Sequence, residues 1–240
     1  MCTLGALNGR LLFKTRDLWG ESDPQEKIAR GRGRLRYLGV RGKATPNERG
    51  LNSGINEAGV AVAITFADTV PLARALRFKM PRGILVEEIL ATCHDLESAL
   101  RKAAEFQRVP LVGGNIVIMT PQGGAVLEQL YPRHCVELIV APATVRTNHY
   151  LNLSELEPLQ GNRENSVARH LRLTELLGDG AQTGMEQVRQ ILSDHEGEHP
   201  ICSHAGELTT VSAVVYDLAG TRLMHAAGPP CSTPWQEYGI

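Results

Sequence analysis

The sequence predicts an α+β fold in which antiparallel strands are kept apart from paired helices. Three observations carry this. Short apolar runs end at Gly, Asn and Pro turns, the hydrophobic period changes to three and four residues in two places, and strands return after each change. A wound parallel sheet would instead carry a crossover helix between consecutive strands.

The elements follow in order. "LNGRLL" supplies a glycine turn, which predicts a hairpin between residues 2–7 and 11–17. "GLNSGINEAGVAVAITF" reads as strand, tight turn at Asn56 to Gly59, and strand, because Asn and Gly accept the backbone angles of a reversal. "RGILVEEILATCHDLESALRKAAEFQ" has helical spacing broken near "CHD", so two helices are expected, the second capped by Asp95. Strands return at "NIVIMT", "AVLEQL", "CVELIVA" and "ATVRTNHY", the first two joined by a "PQGG" turn. Helices follow at "NSVARHLRLTELL" and "GMEQVRQILSD", and the tail is a hairpin around "LAGT".

The 240 residues hold no internal repeat, low-complexity tract or linker, so a single domain over 1–240 is expected. Hydrophobic residues make up 42% and charged residues 21%, ordinary for a globular protein. Lys+Arg 25 against Asp+Glu 26 removes the electrostatic argument for a nucleic-acid partner. The local basic run from Arg30 to Lys43 reads as solvated strand edges and a loop. No apolar run approaches the roughly 20 residues that cross a bilayer, and the N-terminus lacks a secretory pattern. Five scattered cysteines with no CxxC argue for free thiols in a reducing compartment, hence a cytoplasmic location.

The residue that asks for chemistry is Cys2. Trimming Met1 would leave a thiol and a free α-amine on one residue. An α-amine ordinarily titrates at about 7.7–8 and a free thiol at about 8.5, so proton exchange between two such groups, directly or through one water, is easy near neutrality. Nucleophile and general base then come together, and the sulfur can form a thioester with an acyl carbon.

"MCT" opening a strand, the return at "KTRDL", then "GINEAGVAV", "VRTNHY", "NRENSVARHLRL" and "HPICSHAGELTTVSAVVYD" together resemble the N-terminal-nucleophile hydrolases. The branch most similar is that of the penicillin-forming acyltransferases, with choloylglycine hydrolases and penicillin V acylases as relatives. The resemblance implies a four-layer α-β-β-α sandwich with the site at the strand ends near Cys2. It implies Cys2 as nucleophile, Asp17 beside the α-amine, and Asn148 as the oxyanion amide. Thr65, His149 and Ser203 are the candidate substrate-binding residues. The reaction implied is hydrolysis or acyl transfer on a small acyl amide, with no cofactor and no metal. Trimming of Met1 alone is expected to suffice to expose the nucleophile.

Three changes set the chain apart from the family pattern. Lys14-Thr15 stand where Arg or Asn is common, Thr65 where the acyltransferases carry asparagine, and Ser203 where an arginine is expected. The last change would leave the site without a fixed cation. Two other functions stay open. "SDHEGEHPICSH" gathers Asp194, His195, His199, Cys202 and His204, and His195, His199, Cys202 and His204 could build a zinc-dependent hydrolase. A non-catalytic ligand-binding module is the other. Cys93 and Cys135 read as core thiols, and Cys231 sits in a proline-rich tail with no base nearby in sequence. Homo-oligomerisation is left open.

Overall fold

A computed structural model describes residues 1–20, 26–42, 48–67, 82–111, 113–155, 162–204 and 207–240. Lys43, at the end of the basic run, and residues 205–206 within the "HPICSHAGEL" motif lie outside these. The chain runs β1 (Leu4–Leu7), β2 (Leu11–Trp19), β3 (Lys27–Arg32), β4 (Arg36–Arg41), β5 (Ser53–Asn56) and β6 (Ala61–Phe66). Helices α1 (Arg82–Thr92) and α2 (Leu96–Phe106) follow, then β7 (Gly114–Thr120), β8 (Gly123–Leu130), β9 (Arg133–Ile139) and β10 (Ala143–Arg146). The last third holds α3 (Asn162–Leu177), α4 (Met185–Leu192), β11 (Leu208–Asp217), β12 (Arg222–Ala226) and β13 (Trp235–Gly239).

The strands form two antiparallel sheets, one in the order β10-β1-β2-β11-β12-β13 and one in the order β3-β4-β5-β6-β7-β8-β9. Alternation along a strand explains how both faces are covered. On β2, Leu12 packs between the sheets with Leu38, Val117 and Tyr216, while Phe13 turns outward to Leu173 and Leu192 of α3 and α4. On β7, Val117 and Met119 face the other sheet, and Ile116 and Ile118 meet Leu85 and Ile89 of α1. Strands buried on two sides read as unbroken apolar runs, which is why "NIVIMT" shows no polar alternation. The result is the expected four-layer α-β-β-α sandwich. Among the described residues no helix is long and apolar enough to cross a membrane.

Turn chemistry holds the hairpins. Gly9 (φ 71°) reverses the chain between β1 and β2, and Gly59 (φ 79°) does so between β5 and β6. Asn56 ties the second turn to the helix layer. Its Oδ1 accepts from the Ala58 and Val60 amides at 3.1 and 3.0 Å, and its Nδ2 donates to the Leu90 and Cys93 carbonyls at 3.0 and 2.8 Å. Asp95 caps α2, accepting from the Ser98 amide at 2.7 Å in a reciprocal capping box.

Two expectations change. The strand at "ATVRTNHY" ends at Arg146, because residues 147–149 leave the ladder and their carbonyls at Thr147 and His149 are taken by side chains from the other sheet. The proline-rich tail yields an edge strand, β13, paired to β12. The β2–β11 pairing carries a bulge: Thr210 lies opposite Asp17 and Ser212 opposite Arg16, leaving Val211 as the extra residue.

Candidate active site

Cys2 sits just ahead of β1, where the β1–β2 ladder continues past the end of the strand. The Thr15 amide donates to the Thr3 carbonyl at 2.8 Å, and the Asp17 amide donates to the Met1 carbonyl at 2.8 Å. The Met1 amine in turn donates to the Asp17 carbonyl. Strand β10 flanks β1 on its other side, and the chain leaving β10 brings Asn148 over Cys2. The Cys2 nitrogen donates to Asn148 Oδ1 at 3.0 Å. Thus β2 and the end of β10 bring Cys2, Asp17 and Asn148 together.

A fourth group, which the sequence does not single out, binds these three. Arg169 reaches in from α3 and is almost fully buried. Its Nη1 donates to the Cys2 carbonyl at 3.0 Å and to Thr3 Oγ1 at 2.7 Å; its Nη2 donates to Asn148 Oδ1 at 2.8 Å. Its Nε donates to Asn165 Oδ1 at 2.8 Å, and Nη1 lies 3.7 Å from Asp17 Oδ2. The site thus does hold a fixed cation, and it reaches in from a helix. Burial lowers the Arg169 pKa from its usual value, opposed by the neighbouring Asp17.

Asp17 is also buried. Its Oδ1 accepts from Thr210 Oγ1 at 2.7 Å, while Oδ2 has no hydrogen-bond partner among the described residues. Arg16, next to it, points to the other face of the strand and pairs with Glu26 and Glu48, both at 2.7 Å. The adjacent Arg16 is thus not the partner of Asp17.

Thr65, His149 and Ser203 stand behind the central residues. Thr65 Oγ1 donates to the Thr147 carbonyl at 2.6 Å and accepts from Asn115 Nδ2 at 3.0 Å, so both capacities bind protein. Asn148 Nδ2 donates to the Phe66 carbonyl at 2.7 Å, which uses one of its two hydrogens. The Asn148 amide donates to Ser166 Oγ at 2.8 Å, and His149 Nδ1 lies 2.8 Å from the same oxygen. The Ser203 amide donates to Thr210 Oγ1 at 2.9 Å, and its hydroxyl donates to the Leu208 carbonyl at 2.8 Å. Ser203 therefore touches the site through Thr210. Lys14, also buried, donates from Nζ to the Ile64 carbonyl at 2.9 Å.

A second buried carboxylate shapes the loop beyond Asn148. Glu128 on β8 accepts from the amides of Leu151 (2.8 Å), Asn152 (2.8 Å) and Leu153 (2.9 Å). Three main-chain donors on one fully buried carboxylate hold the turn that follows "TNHY".

Burial, with His170 and three arginines nearby, pushes the His149 pKa down to about 4. The imidazole is thus neutral in the folded chain near neutrality. An unfolded histidine titrates near 6.5, at about which point the unfolded state starts to bind the extra proton. Stability contributed here is full above that point and falls as pH drops from about 6.5 to about 4. Urea titrations of the parent and His149→Gln across this range are expected to show a shallower acid loss in the variant.

The sequence matches the family model described as acyl-coenzyme A:6-aminopenicillanic acid acyl-transferase over residues 8–230. No curated protein matches the sequence. Among solved structures, penicillin V acylase from Agrobacterium tumefaciens superposes with a TM-score of 0.61 at 10% identity, covering 100% of this chain and 86% of that one. A mutant conjugated bile acid hydrolase from Clostridium perfringens gives 0.62 at 12%, covering 100% and 97%. The Caenorhabditis elegans ortholog of N-acylethanolamine-hydrolyzing acid amidase gives 0.62 at 14%, covering 91% and 93%. These likenesses show the shared fold. With the family match over most of its length and a cysteine at position 2, the chain belongs to the acyl-coenzyme A:6-aminopenicillanic acid acyl-transferase family, within the cysteine-based N-terminal-nucleophile hydrolases and acyltransferases.

Proposed function

We propose that, once the Met1–Cys2 bond is cut, Cys2 cleaves a small acyl amide through a thioester. The observation that carries this reading is Asp17 Oδ2, a buried carboxylate oxygen beside the chain start that has no hydrogen-bond donor among the described residues, with Arg169 Nη1 standing off at 3.7 Å. Such an oxygen is costly to leave without a hydrogen bond, and an ammonium on Cys2 would supply one.

The thiol proton passes to the Cys2 amine, directly or through one water. The sulfur attacks the acyl carbon, and the carbonyl π electrons move to oxygen. The second Nδ2 hydrogen of Asn148, with a main-chain amide, stabilises that oxyanion. The C–N bond breaks as the ammonium returns its proton to the leaving nitrogen. Water or an acceptor amine then opens the thioester, its proton taken by the same amine, and the thiol is restored. Arg169 holds the Cys2 carbonyl and Asn148 in place, and Thr210 orients Asp17. Thr65, His149 and Ser203 position this machinery. The balanced net charge supports a small-molecule substrate over nucleic acid, and the free cysteines support a reducing, cytoplasmic setting for a one-domain enzyme.

The test is a pH profile on the trimmed chain. Burial lowers the pKa of the Met1 amine from its usual 8, against the pull of Cys2 and Asp17 and with the help of Arg169 and Arg16. The kcat/KM for an acyl amide is expected to rise with pH as the Cys2 α-amine gives up its proton, and α-amine acetylation should abolish the limb together with the activity. Unchanged turnover after acetylation defeats the mechanism.

A further inference from the structure

The loop that the sequence offered as a catalytic zinc centre closes in space around a different set of ligands. His199 lies outside it, 3.1 Å from Asn165 Nδ2. Asp194 is held by Arg172 at 2.7 Å. The place of His199 is taken by Cys231, far along the chain: ligand atoms of His195, Cys202, His204 and Cys231 all lie within 4.8 Å of one another. From this geometry we infer a structural zinc site formed by His195, Cys202, His204 and Cys231.

The distances fit a tetrahedron. Zinc–sulfur bonds of about 2.3 Å and zinc–nitrogen bonds of about 2.0–2.1 Å place two sulfurs about 3.8 Å apart and sulfur and nitrogen about 3.6 Å apart. Cys202 Sγ and Cys231 Sγ are separated by 3.7 Å, and Cys231 Sγ and His204 Nε2 by 3.5 Å. Both sulfurs are unlinked, and 3.7 Å is far beyond a disulfide bond. His195 Nδ1 lies 3.2 Å from the Cys202 carbonyl, so an Nδ1–H donates there and leaves Nε2 for the metal, the usual orienting contact of a ligating imidazole. The two imidazoles meet edge to face with centroids 4.7 Å apart, and both are exposed enough to settle onto an ion by small rotations.

Charge also balances. Two thiols give up their protons on binding, and two thiolates with two neutral imidazoles cancel the dication. Four protein ligands leave no open position for a water, so this zinc staples the chain and does not hydrolyse substrate. It joins the loop after α4 to the segment between β12 and β13. It also borders the active site. Ser203, between two ligands, accepts from the Thr210 amide at 2.5 Å and donates to its hydroxyl, and Thr210 donates to Asp17.

The experiment is metal analysis of untagged full chain, equilibrated with zinc chloride under reducing conditions and dialysed. About one zinc per chain is expected, falling below about 0.2 in Cys231→Ser and in the surface variant His204→Asn, with the melting temperature lowered by about 5–10 °C in both. Cobalt in place of zinc should give the visible absorption of a tetrahedral thiolate site, lost in the same variants. Substoichiometric metal in the parent, full zinc retention by His204→Asn, or a Cys202–Cys231 disulfide in the reduced preparation each overturns the assignment.

Discussion

A trimmed chain carrying Cys2→Ala is expected to cleave an acyl amide on the order of 10⁴-fold more slowly than the trimmed parent, or worse, because no other group at this place can form the thioester. The substitution removes one sulfur from a half-buried position that no strand depends on, so folding stability should change by no more than about 1 kcal/mol. Activity and stability thus separate in one variant. The uncut parent provides the matching arm. While Met1 is attached, the Cys2 nitrogen is an amide with no basic lone pair, and the Met1 main chain occupies the main-chain amide and carbonyl of Asp17. Turnover should therefore scale with the fraction of chains shown by intact-mass spectrometry to begin at Cys2, and a thiol-directed probe should label Cys2 ahead of the other thiols only in that fraction. Parent-level activity from fully uncut chain would falsify the mechanism.

Arg169→Met is the second large effect, and it falls on stability as well as rate. Methionine keeps the unbranched stem but leaves the Cys2 carbonyl, Thr3 Oγ1 and Asn165 Oδ1 without the donor Arg169 gives them, and takes one of two donors from Asn148 Oδ1. It also strips the buried Asp17 carboxylate of its cation, and breaking a buried pair on one side costs about 3–5 kcal/mol. Urea denaturation should show a loss of that size. Asp17→Asn removes the stranded charge, so the double variant is expected to lose clearly less than the sum of the two single losses, as coupled neighbours do. Additive losses would mean that Arg169 and Asp17 act independently. Arg169→Lys should restore only part, because a lysine head cannot fork to acceptors on both sides of Cys2.

The hairpins were legible because turn chemistry is local: Gly9 and Asn56 to Gly59 act within a few residues, as does the Asp95 cap. Cys2 was legible because its chemistry depends on position in the chain. Arg169 was not. It lies in a helix beside Arg163 and Arg172, and nothing in the spacing separates the one that is buried from Arg172, which pairs with Asp194 and Glu196 at the surface. Glu128 was hidden for a related reason. In a strand covered on both faces, alternation does not mark an inward carboxylate, and its partners are amides more than twenty residues away. Cys231 shows the same limit at longer range, since its neighbours at Cys202 and His204 come from across the β11–β12 hairpin. Thr65 and Ser203, singled out by resemblance, turned out to spend their hydroxyls on carbonyls of the protein.

The bulge at Val211 has a consequence for how this chain can change in length. In a regular strand, Thr210 and Ser212 would share a face. Here they stand opposite Asp17 and Arg16, neighbours that project to opposite sides, so a single strand serves both. Losing one residue at this point would re-phase everything upstream against β2 and withdraw the hydroxyl from Asp17. Insertions and deletions should therefore be purged from this short stretch even where substitutions drift freely.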